Sequence, residues 1–193
     1  MSKFPEVEEM LRQMVFFDTE TSGLLDYKHE IIQIGAISGN SEFEVKLRFD
    51  MDKADPKALE MNCYNEDVWA EEAVDPEEAM NAFSEFLEDF KFVGKVGKKS
   101  GKPYKVARLV GHNASTFDKG FMMALYRTYD AFMPFEFKIW DTQQLAMWSL
   151  PDAEHHKLEV LCEYYNIDIG NAHDALADAI ATRRVAWCLM TEE

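Results

Sequence analysis

The sequence predicts an α/β fold in which a mixed sheet is covered by helices. Apolar β-branched and aromatic runs crowd the N-terminal quarter of the chain. Helical periodicity dominates after residue 56, and two further short apolar runs interrupt that helical part. Residues 14–19 read as a short buried strand. IIQIGAI (31–37) and EFEVKLRF (42–49) are rich in β-branched and aromatic residues, and the second alternates in part. SGNS between them is a hairpin turn, with Gly39-Asn40 tolerating positive φ, so at least two of the early strands are antiparallel.

Pro56 opens a short helix to Glu60. Asp75-Pro76-Glu77-Glu78 supplies an N-cap, a proline at the first helical position and an acid three residues after the cap. Ala79, Phe83, Phe86, Leu87 and Phe90 then share one face. GKVGKKSGKPYK (94–105) is a loop or ribbon by its glycines and proline, and ARLVGH (107–112) a buried strand. Residues 117–129 are helical in pattern, FKIWD (137–141) is strand again, and helices cover 142–148, 156–165 and 174–190. No internal repeat or low-complexity tract interrupts this order, and 193 residues suit one domain over 1–193, with the basic loop 94–105 as an insertion.

Hydrophobic residues make up 47% and charged residues 29%, a globular composition. No apolar run reaches the ~20 residues that cross a bilayer. The N-terminus, MSKFPEVEEM, carries acids and no apolar core, which is unlike a secretory signal. Cys63, Cys162 and Cys188 are far apart and odd in number, without a CxxC pair, so the expected setting is reducing and cytoplasmic. The net charge of −16 opposes a protein that coats duplex nucleic acid. The charge is uneven, however. Residues 91–108 hold six lysines, one arginine and no acid, so that segment is +7 and the remainder −23. Such a segment either tracks phosphates or forms a solvated ribbon.

Three constellations carry candidate chemistry. In FFDTETSGL, Asp18 and Glu20 stand two apart, so a strand puts both on one face, roughly 7 Å apart, at its C-terminal end. The same residues also make good turn chemistry. In LVGHNASTFDKGF (109–121), Asp118 follows a strand end and sits just inside a helix. Ser115 or Thr116 is a natural cap there, with Asp118 a first-turn acid. In NAHDALADAIATRRVAW (171–187), Asp174 and Asp178 share a helical face, whereas His173 and Asp178 on one helix would lie about 140° apart. Asp174 is equally an N-cap, which would leave His173 in the preceding loop, and spacing alone leaves both arrangements open. Glu154-His155-His156 reads as a polar loop with a metal cluster the alternative, Cys162 as core rather than nucleophile, and Tyr164-Tyr165 as core packing with base stacking the alternative.

DTETSGL, GHNASTFD and HDALADA, in that order, resemble the three motifs of the DEDDh (DnaQ-like) 3′→5′ exonucleases. That family includes proteins similar to the proofreading subunit of bacterial replicative polymerases, to ribonuclease T and to oligoribonuclease. IWDTQQLA (139–146) and HKLEVLCEYYNI (156–167) resemble its connecting stretches. The resemblance implies a ribonuclease H-like fold. Its mixed five-stranded sheet would combine a three-strand antiparallel meander with parallel strands, flanked by helices. It also implies that Asp18, Glu20, Asp118 and Asp178 bind two divalent cations, Mg²⁺ or Mn²⁺, that His173 is the general base, and that Asp174 is a cap. Thr19, Thr21, Gly23, Leu24 and Asn113 would contact the terminal nucleotide, with Leu24 wedged against the last base or else a core residue.

The implied reaction is hydrolysis from the 3′ end of single-stranded DNA, releasing 5′-mononucleotides. The same chemistry on RNA and a non-catalytic nucleic-acid-binding adapter are the alternatives. A polymerase or a second copy of the chain is the implied protein partner, and no membrane is expected. The catalytic-core size favours a free-standing nuclease or short subunit over a multidomain polymerase.

Overall fold

The computed structural model describes residues 3–170 and 173–191. Asn171 and Ala172, which open the third motif stretch, lie outside the described residues. A five-stranded mixed sheet organises the chain. Its strands are β1 (Val15–Thr21), β2 (Ile31–Ser38), β3 (Ser41–Lys46), β6 (Leu109–Gly111) and β7 (Trp140–Asp141), in the order β3-β2-β1-β6-β7. The first three form the antiparallel meander, and β6 and β7 add in parallel on its other side. Ser38 pairs with Ser41 across the Gly39-Asn40 turn, and of the two only Gly39 takes positive φ, +55°. A separate antiparallel ribbon, β4 (Val93–Val96) with β5 (Pro103–Val106), contains most of the basic segment.

Helices cover both faces because β1 is apolar on both. Val15 and Phe17 join Ile34, Ala36 and Leu109 beneath α4 (Pro76–Phe86) and α5 (Asp118–Thr128), which contribute Phe83, Phe121, Met122 and Tyr126. Phe16, Ile37 and Val110 face the other way, against α1 (Pro5–Gln13) and α8 (Ala175–Thr191). The far side of α8 is covered in turn by α6 (Thr142–Ser149) and α7 (Leu158–Tyr165), through Ala146, Leu158, Leu161, Val185 and Leu189. Among the described residues no helix is long and apolar enough to cross a membrane.

Several local expectations change. The 137–141 strand contracts to two residues, with Phe137 and Lys138 exposed. The 42–49 strand ends at Lys46, because the backbone from Leu47 onward bridges Val74. Two further helices, α1 and α3 (Glu66–Glu72), are present. Besides its Asn65 cap, α3 is anchored by Trp69, whose ring Nε1–H donates to the Ile32 carbonyl at 3.3 Å. The short Pro56 helix, α2 (Pro56–Met61), is capped by Asp55. Neither Ser115 nor Thr116 caps α5; the cap position is Phe117, and Ser115 donates instead to Asp141 at 2.6 Å. Tyr165 packs part-buried on the α6–α7–α8 cluster, whereas Tyr164 stands 63% exposed rather than in the core.

One close approach positions everything that follows. Gly35 lies opposite Asp18 in the β1–β2 ladder. A Cβ there would sit 2.1 Å from the backbone nitrogen of Leu176 and 2.2 Å from the carbonyl carbon of Ala175. The first turn of α8 therefore rests directly on the strand, and a glycine inside an otherwise apolar strand marks that contact. Gly35→Ala should force backbone apart from backbone, costing about 2–3 kcal/mol. Thermal denaturation followed by circular dichroism should show the midpoint falling by about 5 °C or more. An unchanged midpoint would mean that helix and strand do not meet there.

Candidate active site

The C-terminal end of β1 opens into a cleft of about 310 Å³ whose lining includes Asp18, Thr19, Glu20, Asn113, Asp118, His173 and Asp178. These residues come from three segments far apart in the chain. Asp18 and Glu20 share a strand face, with Glu20 buried and Asp18 partly exposed. Asp118, the first residue of α5, is buried at 3% exposure. Its Oδ1 accepts the Thr19 backbone N–H at 3.0 Å and the Thr19 hydroxyl at 2.6 Å. This cross-chain clamp takes Asp118 out of the role of a solvated first-turn acid.

The third segment resolves an ambiguity of spacing. Asp174 Oδ1 accepts the Ala177 N–H at 3.0 Å, and its Oδ2 accepts from Gln33 Nε2 at 3.3 Å, so Asp174 caps α8 and is tied to the sheet. It does not line the cleft, whereas His173 and Asp178 do. His173 holds φ +65°, a left-handed turn just before the helix. One potential ligand atom from each of Glu20, His173 and Asp178 lies within 4.8 Å of the others.

Crowding of carboxylates has an electrostatic signature. Burial first, and then the charges of Asp118, Glu20 and Asp178, lift Asp18 well above the ordinary carboxylate range. Burial and then Asp178 and Asp118 do the same to Glu20. Asp118 is raised by burial, against the pull of the Thr19 hydrogen bonds. Burial raises Asp178 to about 6, against the charge and backbone N–H of His173. Asp178 Oδ1 is also buried without a hydrogen-bond partner. An orphaned carboxylate oxygen among three other strained acids fits a hard divalent cation, whose charge would meet both deficits.

The expected nucleotide contacts divide. Thr19 and Asn113 line the cleft; Thr21, Gly23 and Leu24 are not among its lining residues. Thr21 donates its hydroxyl to the Gly23 carbonyl at 2.8 Å, and a Cβ on Gly23 would lie 2.6 Å from the His29 ring. Both are buried inside the turn that presents Leu24, which is 73% exposed and no core residue.

Sequence reasoning passed over several wall residues. His112, Gln143, Lys157 and Glu159 also line the cleft. The His112 ring bridges the Thr142 hydroxyl at 2.9 Å and the His156 carbonyl at 2.8 Å, and burial lowers its pKa. Asp141 is a hub: it accepts the N–H groups of Asn113, Ser115 and Gln143, each at 3.0 Å. Only their membership of IWDTQQLA and HKLEVLCEYYNI, or nearness to GHN, signalled them. The Glu154-His155-His156 cluster is a polar loop, with His156 Nε2 bonded to the Leu150 carbonyl at 2.9 Å. Cys162 is buried, with its thiol pushed up to about 11.

Comparison with known proteins places the fold that carries this cleft. Residues 103–186 match the family model described as exonuclease. The chain is 27% identical over 187 residues to the PolC-type DNA polymerase III of Halalkalibacterium halodurans, a match that covers 93% of this chain and 11% of that protein. It is 37% identical over 82 residues to the PolC-type enzyme of Oceanobacillus iheyensis, covering 42% of this chain and 6% of that one. The chain thus spans only a small part of these relatives. Among solved structures, E. coli exonuclease I in complex with a dT13 oligonucleotide superposes with a TM-score of 0.71 at 18% identity, covering 92% of this chain and 41% of that one. Exonuclease I from Methylocaldum szegediense superposes at 0.68 with 22% identity, covering 93% and 40%. With this fold, three motifs in order along it and the family model matched over residues 103–186, the chain resembles the DEDDh (DnaQ-like) exonucleases.

Proposed function

We propose that this chain is a divalent-metal-dependent 3′→5′ exonuclease that shortens single-stranded DNA and releases 5′-mononucleotides. The convergence of Asp18, Glu20, Asp118, His173 and Asp178 on one cleft carries the reading. DNA is favoured over RNA because the curated relatives are DNA polymerases and the superposed exonuclease I holds a dT13 strand.

Asp18, Glu20, Asp118 and Asp178 would hold two cations, Mg²⁺ or Mn²⁺. Bound there, the cations supply charge compensation at the phosphate and acidify a water. The chain's own groups do the rest. His173 takes the proton of the attacking water at a ring nitrogen. The water oxygen joins phosphorus as the bond to the 3′-oxygen breaks, leaving a 5′-mononucleotide and a new 3′-hydroxyl. Thr19 keeps Asp118 aimed at the cleft through its two hydrogen bonds. Asn113 seats the terminal nucleotide, and the exposed Leu24, presented by the Thr21–Gly23 turn, wedges against its base.

Digestion of 5′-labelled single-stranded DNA and RNA tests this directly. With Mg²⁺ the DNA should shorten progressively from its 3′ end, and chelator should stop it. Asp18→Ala should abolish cleavage, and His173→Ala should slow it by about 10²-fold or more. Binding without cleavage in both wild type and Asp18→Ala would make the chain an adapter, and faster loss of the RNA would reverse the sugar preference.

The raised carboxylates make a second prediction. With folded pKa values near 8 for Glu20 and 6 for Asp178, the native state holds protons that the unfolded chain has released. Native stability without metal must therefore fall as pH climbs from about 4 toward 8. The melting temperature of the chelated protein should drop between pH 5 and pH 8, and Mn²⁺ should raise it at pH 8 far more than at pH 5. Asp178→Asn should flatten the metal-free profile; an identical slope in that variant would trace the effect to the general negative charge.

A further inference from the structure

The β4–β5 ribbon and the loop leading to β7 share a surface to which the cleft chemistry assigns nothing. The two meet at several points. Tyr104 on β5 meets Phe132 edge to face, with ring centroids 5.7 Å apart. Ala107, just past β5, bridges Phe135. The buried Glu136 carboxylate accepts from Lys95 Nζ and from Arg108 Nε, both at 2.7 Å. The Arg108 guanidinium lies 4.5 Å over the Trp140 ring and 5.4 Å from that of Phe92. Lys119 sits 4.1 Å over the ring of Phe137. The strip reaches the cleft at two points. Lys119 follows Asp118, and Trp140 precedes Asp141, whose carboxylate fixes the Asn113 backbone.

Two properties of this strip point to its ligand. Tyr104, Trp140, Phe137 and Phe132 are 40%, 44%, 58% and 64% exposed. Single exposed aromatics are ordinary, but here four are exposed on the ribbon and on the segment that enters β7, with cations set over Trp140 and Phe137. Lys91 pairs with Glu88, and Lys95 and Arg108 pair with Glu136. Lys98, Lys99, Lys102 and Lys105 are exposed and, among the described residues, pair with no carboxylate. They lie in the 91–108 segment, which is +7 on a chain whose remainder is −23. Lysines alone would suit any polyanion. Lysines interleaved with open ring faces suit phosphates joined to unstacked bases. A duplex hides those bases and brings its full charge against the acidic remainder.

We infer that this strip is the track for the 5′ part of a single strand whose 3′ end sits in the cleft. The hairpin lysines take phosphates, and Phe132, Phe137 and Trp140 stack bases. This rests on the cleft holding the 3′ terminus, but its test is made by binding, without hydrolysis.

In chelator, fluorescence anisotropy would compare a labelled 20-nucleotide single strand, a trinucleotide and a 20-base-pair duplex. The wild type should prefer the long single strand. The triple variant K98A/K99A/K102A should bind it more weakly yet bind the trinucleotide equally well. Raising salt from about 50 to about 200 mM should weaken wild-type binding ~20-fold more than it weakens the variant's, as three lost phosphate contacts require. The triple Lys→Arg variant should retain the wild-type salt dependence. F132A/F137A should lose about fivefold or more for the long strand without change in salt slope. Equal affinity of wild type and both alanine variants for the long strand would overturn the inference. So would equal losses on the trinucleotide, a wild-type preference for duplex, or retention of poly-glutamate in place of the oligonucleotide. If the wild type binds as described but cuts no strand in Mg²⁺, the exonuclease reading fails while the track stands.

Discussion

The direct seating of α8 on Gly35 is the contact on which the rest of this structure depends. The strand residue opposite Gly35 is Asp18, so a helix that touches one necessarily overhangs the other. His173 in the turn before the helix and Asp178 in its first turn are thereby brought over the end of β1. A side chain at position 35 would lift the helix and the two groups with it. Small residues continue the approach along α8, where Ala175 and Ala179 are wholly buried. The helix has almost no solvated side near the sheet, because α6 and α7 close it from behind.

That geometry sets four carboxylates around one cleft, at an electrostatic cost. Each has its charged form disfavoured by burial, and Asp18 and Glu20 also by their neighbours' charges. The fold counters the cost locally. Thr19 gives Asp118 two hydrogen bonds, Gln33 and the Ala177 N–H satisfy Asp174 outside the cleft lining, and His173 lies beside Asp178. What stays uncompensated, notably the orphaned oxygen of Asp178, is the part of the site suited to an incoming cation. The strongly acidic remainder of the chain is a further constraint, and unpaired positive charge is concentrated on the ribbon that precedes β6.

Elements built from local signals were legible from the chain alone. The β2–β3 hairpin follows from its turn residues, α4 from its Asp75 cap and phenylalanine stripe, and the acids of β1 from their two-residue spacing. Elements held by distant partners were not. Helix α3 is short and acidic, and its anchor is a tryptophan hydrogen-bonded 37 residues back in the sequence. The strand expected over 137–141 has the right residues, yet most of it lies on an edge where Phe137 packs under Lys119 in place of a ladder neighbour. Ser115 reads as a helix cap but turns toward Asp141, because that carboxylate arrives from β7 with three other backbone or side-chain bonds to make around it.

By itself the sequence determined which acids were available, their order along the chain, the antiparallel start of the sheet and the Asp75 cap of α4. These properties reach no further than a turn or two of backbone, and residue type with spacing suffices for them. Tertiary structure decided what spacing left open: Asp174 caps the helix while Asp178 lines the cleft, Asp118 is buried and clamped, and aromatic residues between 104 and 140 are left exposed. Each of those outcomes is a matter of what lies opposite. The partner of Asp118 is 99 residues away, and desolvation depends on the neighbours packing brings together, whatever their separation in sequence.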